Sequence, residues 1–422
     1  MSPNVLYLEN GKSIQHMKNQ RSLFALLLTL VLAGNGCSQD PKDSYFDYNL
    51  KSARVIETNN DFGLKLVTTV LGAEEKANVM ISPASVSIAL GMACNGAGSI
   101  TLDAFEEVLD YDGLTREEVN EITRELIHVL ATNVDGNLLE IANSIWYDEG
   151  FPVEPGFISL NSHYFDAGVN EIDFRQAEAV NAINDWVKEN THEKIDKIIN
   201  SIDPDVVMYL INAIYFNCAW ETEFDPDDTR PADFYQEDGS LFGKVDMMHL
   251  KADLNMAGDD LFSAVELPYK NGKFSMFLFL PAEESSLNEL TADLDGATWK
   301  SWLDGFSEHK DVILNMPKFE FEYGRSLASD LRKLGLDIAF TDQADFSGIS
   351  PVGLLISDVI HKTYIKVNEE GTEAAAVTGV EISPTSLGPM YELTLNRPFL
   401  FAITENSSRS ILFMGKVSEP EY

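Results

Sequence analysis

Polar and apolar positions fall into two regimes along the chain. In the first third, apolar residues recur at three-and-four spacing over Phe62 to Val70, Ser82 to Met92, Leu102 to Leu109 and Arg116 to Leu130. That spacing predicts amphipathic helices separated by polar turns. Ser82-Pro83 ahead of Val86, Ile88, Ala89 and Leu90 reads as a helix start, with Ser as the cap and Pro in the first turn. Val180, Ile183, Val187 and Ile195 share one stripe, which predicts a helix over Ala177 to Ile199. The later chain changes period. Val206 to Phe216, Leu261 to Leu267, Phe274 to Leu280, Val312 to Met316, Thr363 to Val367 and Ile411 to Val417 are β-branched or aromatic runs bounded by turn residues, and they predict strands. Helices crowded early and strands crowded late predict an α+β fold with large, mainly antiparallel sheets. From Asp61 onward no linker, low-complexity block or repeat interrupts the pattern, so residues 61–422 are expected to form one domain.

The beginning of the chain has a different logic. Lys18 and Arg21 precede an apolar run from Leu23 to Ala33, which ends in small residues and then Cys37. The run falls short of the ~20 residues that cross a bilayer, so residues 1–36 read as a signal peptide, with Met17 as an alternative start. Residues 37–60 are polar and acidic and read as a tether. Cys37 is either a free thiol after ordinary signal cleavage or a modified N-terminus. Cys94 and Cys218 lie in apolar stretches and read as buried free thiols rather than a bridge.

Charge narrows the partners. With 30 Lys+Arg against 68 Asp+Glu, the formal charge is −38. Such a field repels nucleic acid and anionic membrane surfaces unless a basic patch overrides it, and the sequence offers none. Catalytic motifs are missing as well: there is no Gly-x-Ser-x-Gly, no His-Glu-x-x-His and no phosphate-cradling glycine loop. Ser307-Glu308-His309-Lys310 fits Ser-x-x-Lys, but it reads as a charged loop and no Lys-Thr-Gly follows it. The seven histidines are scattered, and Asp225 with Asp227 and Asp228 reads as a solvated turn. No metal site, cofactor or enzymatic activity is expected.

The most informative stretch runs from Asn368 to Ser386. Read with period two, one face carries Thr372, Ala374, Ala376, Thr378, Val380 and Ile382, all small or apolar, as in a strand with one buried face. Gly371, the alanine run and Pro384-Thr385-Ser386 equally suit a protease-accessible loop. The composition permits loop in one state and strand in another; a permanent strand followed by a turn is the alternative.

Here the chain resembles the serpins. Glu369-Glu370-Gly371-Thr372-Glu373-Ala374-Ala375-Ala376 is similar to the hinge of the serpin reactive-centre loop. The resemblance extends from about Asp61 to Pro420. Asn78 to Ser85, with Ser82, Pro83 and Ser85, resembles the early shutter segment; Ile141 to Trp146 resembles a strand of the central sheet. Trp186-Val187, Asn190-Thr191 and Lys194-Ile195 match the helix lying across that sheet. Asn212 to Phe216 with Trp220, Phe224, Pro226 and Thr229 looks like the strand and breach motif. His361 falls where the family keeps its shutter histidine, and Arg397 to Phe401 with Ile411 to Val417 completes the C-terminal signature.

The resemblance implies a serpin fold and suicide inhibition of a target serine protease, or of a papain-type cysteine protease, through a covalent complex. An acyl-enzyme formed on the loop would be trapped when the loop inserts into the main sheet. Thr372 to Thr385 would span about 45 Å at ~3.3 Å per residue. The family's spacing from the hinge glycine places the scissile bond at Thr385/Ser386, which suits an elastase-like or subtilisin-like enzyme. Counting back from Arg397-Pro398-Phe399 makes Leu387/Gly388 the alternative, which suits a chymotrypsin-like one. A non-inhibitory relative acting as a binding or chaperone-like protein is the second reading. The Glu-rich helix Arg116 to Leu130 excludes a heparin-like polyanion site, and a monomer is expected. Gly34-Asn35-Gly36-Cys37 resembles a bacterial lipoprotein box. It implies an exported protein, lipidated at Cys37 and anchored to a bacterial membrane facing the periplasm or the exterior, or otherwise secreted.

Overall fold

The computed structural model describes residues 49–111, 113–134, 137–372 and 391–422. Cys37, the expected signal peptide and most of the expected tether therefore lie outside the described residues. The body opens with α1 (Leu50–Leu71), β1 (Val79–Ile81), α2 (Pro83–Cys94), α3 (Ser99–Val108) and α4 (Arg116–Leu130). Next come β2 (Thr132–Val134), β3 (Asn137–Asp148), α5 (Pro155–Tyr164), β4 (Gly168–Ile172) and α6 (Ala177–Asn190). The middle holds β5 (Met208–Ala219), β6 (Arg230–Tyr235), β7 (Leu241–Gly258), β8 (Phe262–Pro268), β9 (Phe274–Pro281), α7 (Leu287–Ala292) and α8 (Gly296–Asp304). The remainder is β10 (Ser307–Pro317), β11 (Phe319–Ser326), the single turn α9 (Ala328–Leu331), β12 (Ile360–Val367), β13 (Gly371–Thr372), β14 (Glu392–Thr394), β15 (Phe399–Glu405) and β16 (Ile411–Val417).

Three expectations need correction. The helix α1 starts at Leu50, within the stretch expected to be tether, because Val55, Ile56 and Thr58 are buried and Asn49 caps the helix through Lys51 and Ser52. The helix expected to reach Ile199 stops at Asn190. Thr191 ties back to Val187, and His192 and Glu193 turn left-handed at φ 49° and 66°. Ile198 and Ile199, which continue the apolar period, donate backbone N–H bonds to the Asn184 side chain instead. Ser307 to Lys310 is the start of β10 rather than a loop, since Ser307, Glu308 and His309 pair with Met256, Asn255 and Leu254 of β7.

The strands form two sheets. The first runs β1-β16-β15-β9-β8-β7-β10-β14, with β6 on β7; the second runs β11-β12-β13-β5-β3-β2, with β4 on β3. Pairing is antiparallel except for β10 with β14 and β3 with β4. This is the expected α+β arrangement. The main core is built from β15, β16, β8 and β9 with α1 and α2, while α6 covers a smaller cluster of its own with Trp146 of β3 and Ile211 of β5. Cys94 and Cys218 are buried free thiols, and burial pushes the Cys94 thiol up to about 12.

Gly415 fixes how closely β1 meets β16. A Cβ there would sit 2.0 Å from the Val79 carbonyl oxygen, so the strands close only on glycine.

The feature that positions the site is β13. Thr372 pairs with Val367 of β12 and with Cys218 of β5, antiparallel to both. β12 and β5 are therefore parallel to each other with β13 between them. Among the described residues they share no ladder pair of their own. Their facing edges define a slot that Gly371 and Thr372 enter at one end.

Candidate functional site

The chain reverses from β12 into β13 through Asn368, Glu369 and Glu370. Asn368 accepts from the N–H groups of Glu370 and Gly371 through its side chain, and donates its own N–H to Gly371 O at 3.0 Å. Asn is suited to this because its short side chain mimics a backbone turn. Each carbonyl of the turn is then claimed by the neighbouring strand end. Trp220 donates its N–H to Glu370 O at 2.9 Å and its indole Nε1–H to Asn368 O at 2.9 Å; Phe224 donates to Glu369 O. Trp220 is fully buried and stacks on Tyr269 with centroids 4.5 Å apart.

The turn's side chains are held as firmly. Glu369 accepts from Thr229 Oγ1 at 2.8 Å and pairs with Lys318 Nζ at 3.2 Å. Burial alone would raise the Glu369 carboxyl, but the Thr229 hydroxyl and Lys318 outweigh it and hold it below the usual carboxylate range. Glu370 is pushed the other way, by burial and then by Glu223 and Glu369. The ring of Tyr422 lies against Lys318, its centroid 4.0 Å from Nζ. Thr372 turns its side chain toward the core, where Oγ1 lies 2.6 Å from Tyr269 Oη. The inward orientation expected for Thr372 is therefore present.

Further along β12 a second network joins three elements. Ser82 caps α2 by accepting from Ser85 N–H at 3.2 Å, donates its hydroxyl to Leu412 O at 2.7 Å, and donates its backbone N–H to His361 Nε2 at 3.1 Å. Accepting at Nε2 requires a neutral imidazole, and burial pushes His361 down to about 4. Pro83 occupies the first turn of α2, as expected. Thr363 ties β12 to β1 by donating to Met80 O at 2.8 Å. Asn212 donates to Asn143 Oδ1 at 2.7 Å, and Asn143 to Phe165 O. Ser82 thus bonds both Ser85 and His361, while Asn212 works with Asn143 across the β3–β5 pair.

Glu369, Glu370, Gly371 and Thr372 are in place; Glu373, Ala374, Ala375, Ala376, Thr385, Ser386, Leu387 and Gly388 lie outside the described residues. Tyr269, Lys318 and Tyr422 carry no signal in the pattern of the sequence, whereas Asn143 lies in the segment read by resemblance as a strand of the central sheet. Each reaches the site from an element remote along the chain.

The fold agrees with a family match across most of the chain. The family profile of the serpins, the serine protease inhibitors, covers residues 57–420. The chain is a serpin. Among its relatives, Iripin-2 of Ixodes ricinus is 35% identical over 87% of this chain and 94% of its own length. Human neuroserpin is 31% identical over 86% and 90%. Among solved structures, the thermophilic serpin tengpin in its native state superposes with a TM-score of 0.80 at 34% identity, covering 89% of this serpin and 96% of tengpin. Serpins are generally protease inhibitors rather than enzymes, and a protease-inhibitor role with a target protease as partner follows from membership.

Proposed function

We propose that this serpin is a suicide inhibitor of a serine endopeptidase that completes the strand begun by β13. The observation that carries the reading is Thr372, already laddered between β5 and β12 with its side chain satisfied in the core. Cleavage in residues 373–390 releases the continuation of that strand. Each residue that enters the slot gains ladder hydrogen bonds worth about 1 kcal/mol net, and serpin loop insertion is an established case of strand addition. The acyl-enzyme travels with the strand, and deacylation fails once the protease's base and oxyanion hole are distorted. The uncharged bond Thr385/Ser386 suits elastase-like or subtilisin-like targets, and Leu387/Gly388 a chymotrypsin-like one; papain-type cysteine proteases extend the same chemistry.

Incubation with elastase, subtilisin, chymotrypsin and papain tests this. An inhibitor gives a complex that survives SDS, and mass spectrometry of that complex locates the cleaved bond. Cleaved serpin alone, with every protease fully active, would overturn the mechanism and favour a binding role. That second reading has one support: thyroxine-binding globulin, solved with thyroxine, is a structural neighbour at TM-score 0.78 and 27% identity.

The basic-then-apolar order before Cys37 supports export with lipidation at that residue. Cys37→Ser is expected to release the protein from the membrane fraction as a monomer.

A further inference from the structure

Glu221 and Pro268 are the chain neighbours of the stacked pair Trp220 and Tyr269, and they join through the Glu221 N–H, which donates to Pro268 O at 2.9 Å. Both line a cleft of about 720 Å³. That size falls in the ~300–1,000 Å³ range of small-ligand sites. Two irregularities of the first sheet shape it. β10 pairs with one edge of β7 from Met247 to Met256, whereas β6 leaves the other edge at Met247 and β8 joins it only at Asn255. Among the described residues no strand pairs with that edge over 248–254, so it presents unused backbone groups. The second irregularity is a bulge. Between the pairs His309–Leu254 and Val312–Ala252, β10 sets Lys310 and Asp311 against Asp253 alone. Asp311 takes φ 54°, left-handed for a non-glycine residue, and donates its N–H to the Asp253 carboxylate at 3.1 Å. Such a conformation is retained where the surroundings enforce it. Successive residues of a regular strand point to opposite faces. Here both bulge residues meet side chains two apart on β7: Lys310 Nζ lies 2.9 Å from Asp253, and Lys251 Nζ 2.9 Å from Asp311.

These charges do not cancel. Each lysine is matched by a carboxylate, and Lys310 also reaches Glu308 at 2.7 Å. Glu221 is exposed, and among the described residues its carboxylate has no hydrogen-bond or ion-pair partner. The lining therefore carries three carboxylates against two ammonium groups, in a chain of formal charge −38. Buried Leu254 and Leu267 add an apolar part. We propose that this cleft binds a small organic cation, a primary amine or guanidine on an aliphatic stem. Its N–H donors go to Glu221 and the unpaired edge of β7, and its stem lies against Leu254 and Leu267. An anion would meet lysines that are already satisfied and a carboxylate with none to spare for it. The site stands apart from the fate of residues 373–390, and its test needs no protease.

Calorimetric titration of the full chain with propylamine, hexylamine, hexanoate and agmatine tests this. The cations should bind and hexanoate should not. From propylamine to hexylamine, affinity should rise about twofold per added methylene, as for a stem half removed from water. Glu221→Gln should weaken hexylamine about tenfold by removing its charged acceptor. Lys251→Met should tighten it about threefold by removing a competing cation. Thr222→Trp should abolish binding by filling the space. All three side chains are exposed, so the fold is spared. Glu117→Gln on α4 changes the net charge as much as Glu221→Gln and should leave binding unchanged. Agmatine run against acetyl-Gly-Arg-Gly-amide tells a free cation from the basic side chain of a protein, by which of the two binds tighter. Heats no larger than dilution for every cation would overturn the site. Equal affinity for hexylamine and hexanoate would do the same, as would equal shifts from Glu221→Gln and Glu117→Gln.

Discussion

Thr372 and Tyr269 share a 2.6 Å hydroxyl-to-hydroxyl hydrogen bond inside the core, with Thr372 3% exposed and Tyr269 fully buried. A strand that enters a close-packed sheet has to bring side chains that the interior accepts, and here the first one arrives small and satisfied. Thr372→Arg would bury an unpaired charge at that point. It is expected to convert the inhibitor into a substrate, measured as loss of SDS-stable complex with cleavage retained. Thr372→Val keeps the shape and orphans the Tyr269 hydroxyl, at a cost of about 1–2 kcal/mol in urea unfolding, with complex formation preserved. An unchanged complex yield from the arginine variant would sink the mechanism.

Lys318 compensates the Glu369 carboxylate inside a turn whose three carbonyls each accept from Trp220 or Phe224. Lys318→Met leaves that carboxylate with the Thr229 hydroxyl as its remaining side-chain partner and takes away one of two cations against the Tyr422 ring, the other being Lys366 at 5.0 Å. A loss of about 2 kcal/mol is expected from the urea midpoint, and Glu369→Gln in the same background should recover part of it. Equal stability of the single and double variants would rule out this account of the turn.

His361 gives the molecule an acid limit. Its folded-state pKa of about 4 lies below the ~6.5 of an exposed imidazole. On lowering the pH, the unfolded chain takes up the proton first. The stability is present above pH 6.5 and is lost as pH falls toward 4, by about 3 kcal/mol. Urea titrations at pH 7.5, 6, 5 and 4.5 should show this decline, and His361→Gln, though less stable throughout, should flatten it. Parallel pH profiles for the two proteins would refute the assignment. Glu369 contributes in a lower window, since its depressed carboxyl loses its advantage only as pH falls through the carboxylate range.

Gly415→Ala tests the close approach of β1 and β16. A methyl group 2.0 Å from Val79 O and 2.9 Å from Met80 Cα has only backbone to displace. A loss of more than about 3 kcal/mol is expected, or failure to accumulate as soluble protein. Near wild-type thermal stability would show that β1 can move aside.

Helices α1 to α4 were legible because their apolar residues face the main core, and Ser82-Pro83 marked the start of α2 by cap chemistry. Periodicity misplaced the end of α6 because Ile195, Ile198 and Ile199 do turn inward, only through a folded-back segment rather than another turn of helix. β3 escaped the periodic reading because its buried Asn143 and Ser144 look like solvent positions. The carbonyl of Phe165 satisfies Asn143, and Ser144 accepts from the Trp146 indole. The hinge was legible as a string of small residues after a glycine. Of its supports, Trp220, Phe224 and Thr229 were legible by resemblance, whereas Tyr269 and Lys318 were not, because they reach it through tertiary pairing, which local sequence does not encode.

The way β15 and β16 are seated decides what a used molecule looks like. Any cut within residues 373–390 leaves β14, β15 and β16 on a fragment with no peptide bond to the rest. Yet β15 lies between β9 and β16, and β16 between β15 and β1, with Phe399, Leu400, Phe401 and Met414 wholly buried. The fragment stays. A copy cleaved without trapping its protease keeps the mass of a fresh one in native buffer, so whatever sorts one from the other has to read the rebuilt sheet surface rather than size.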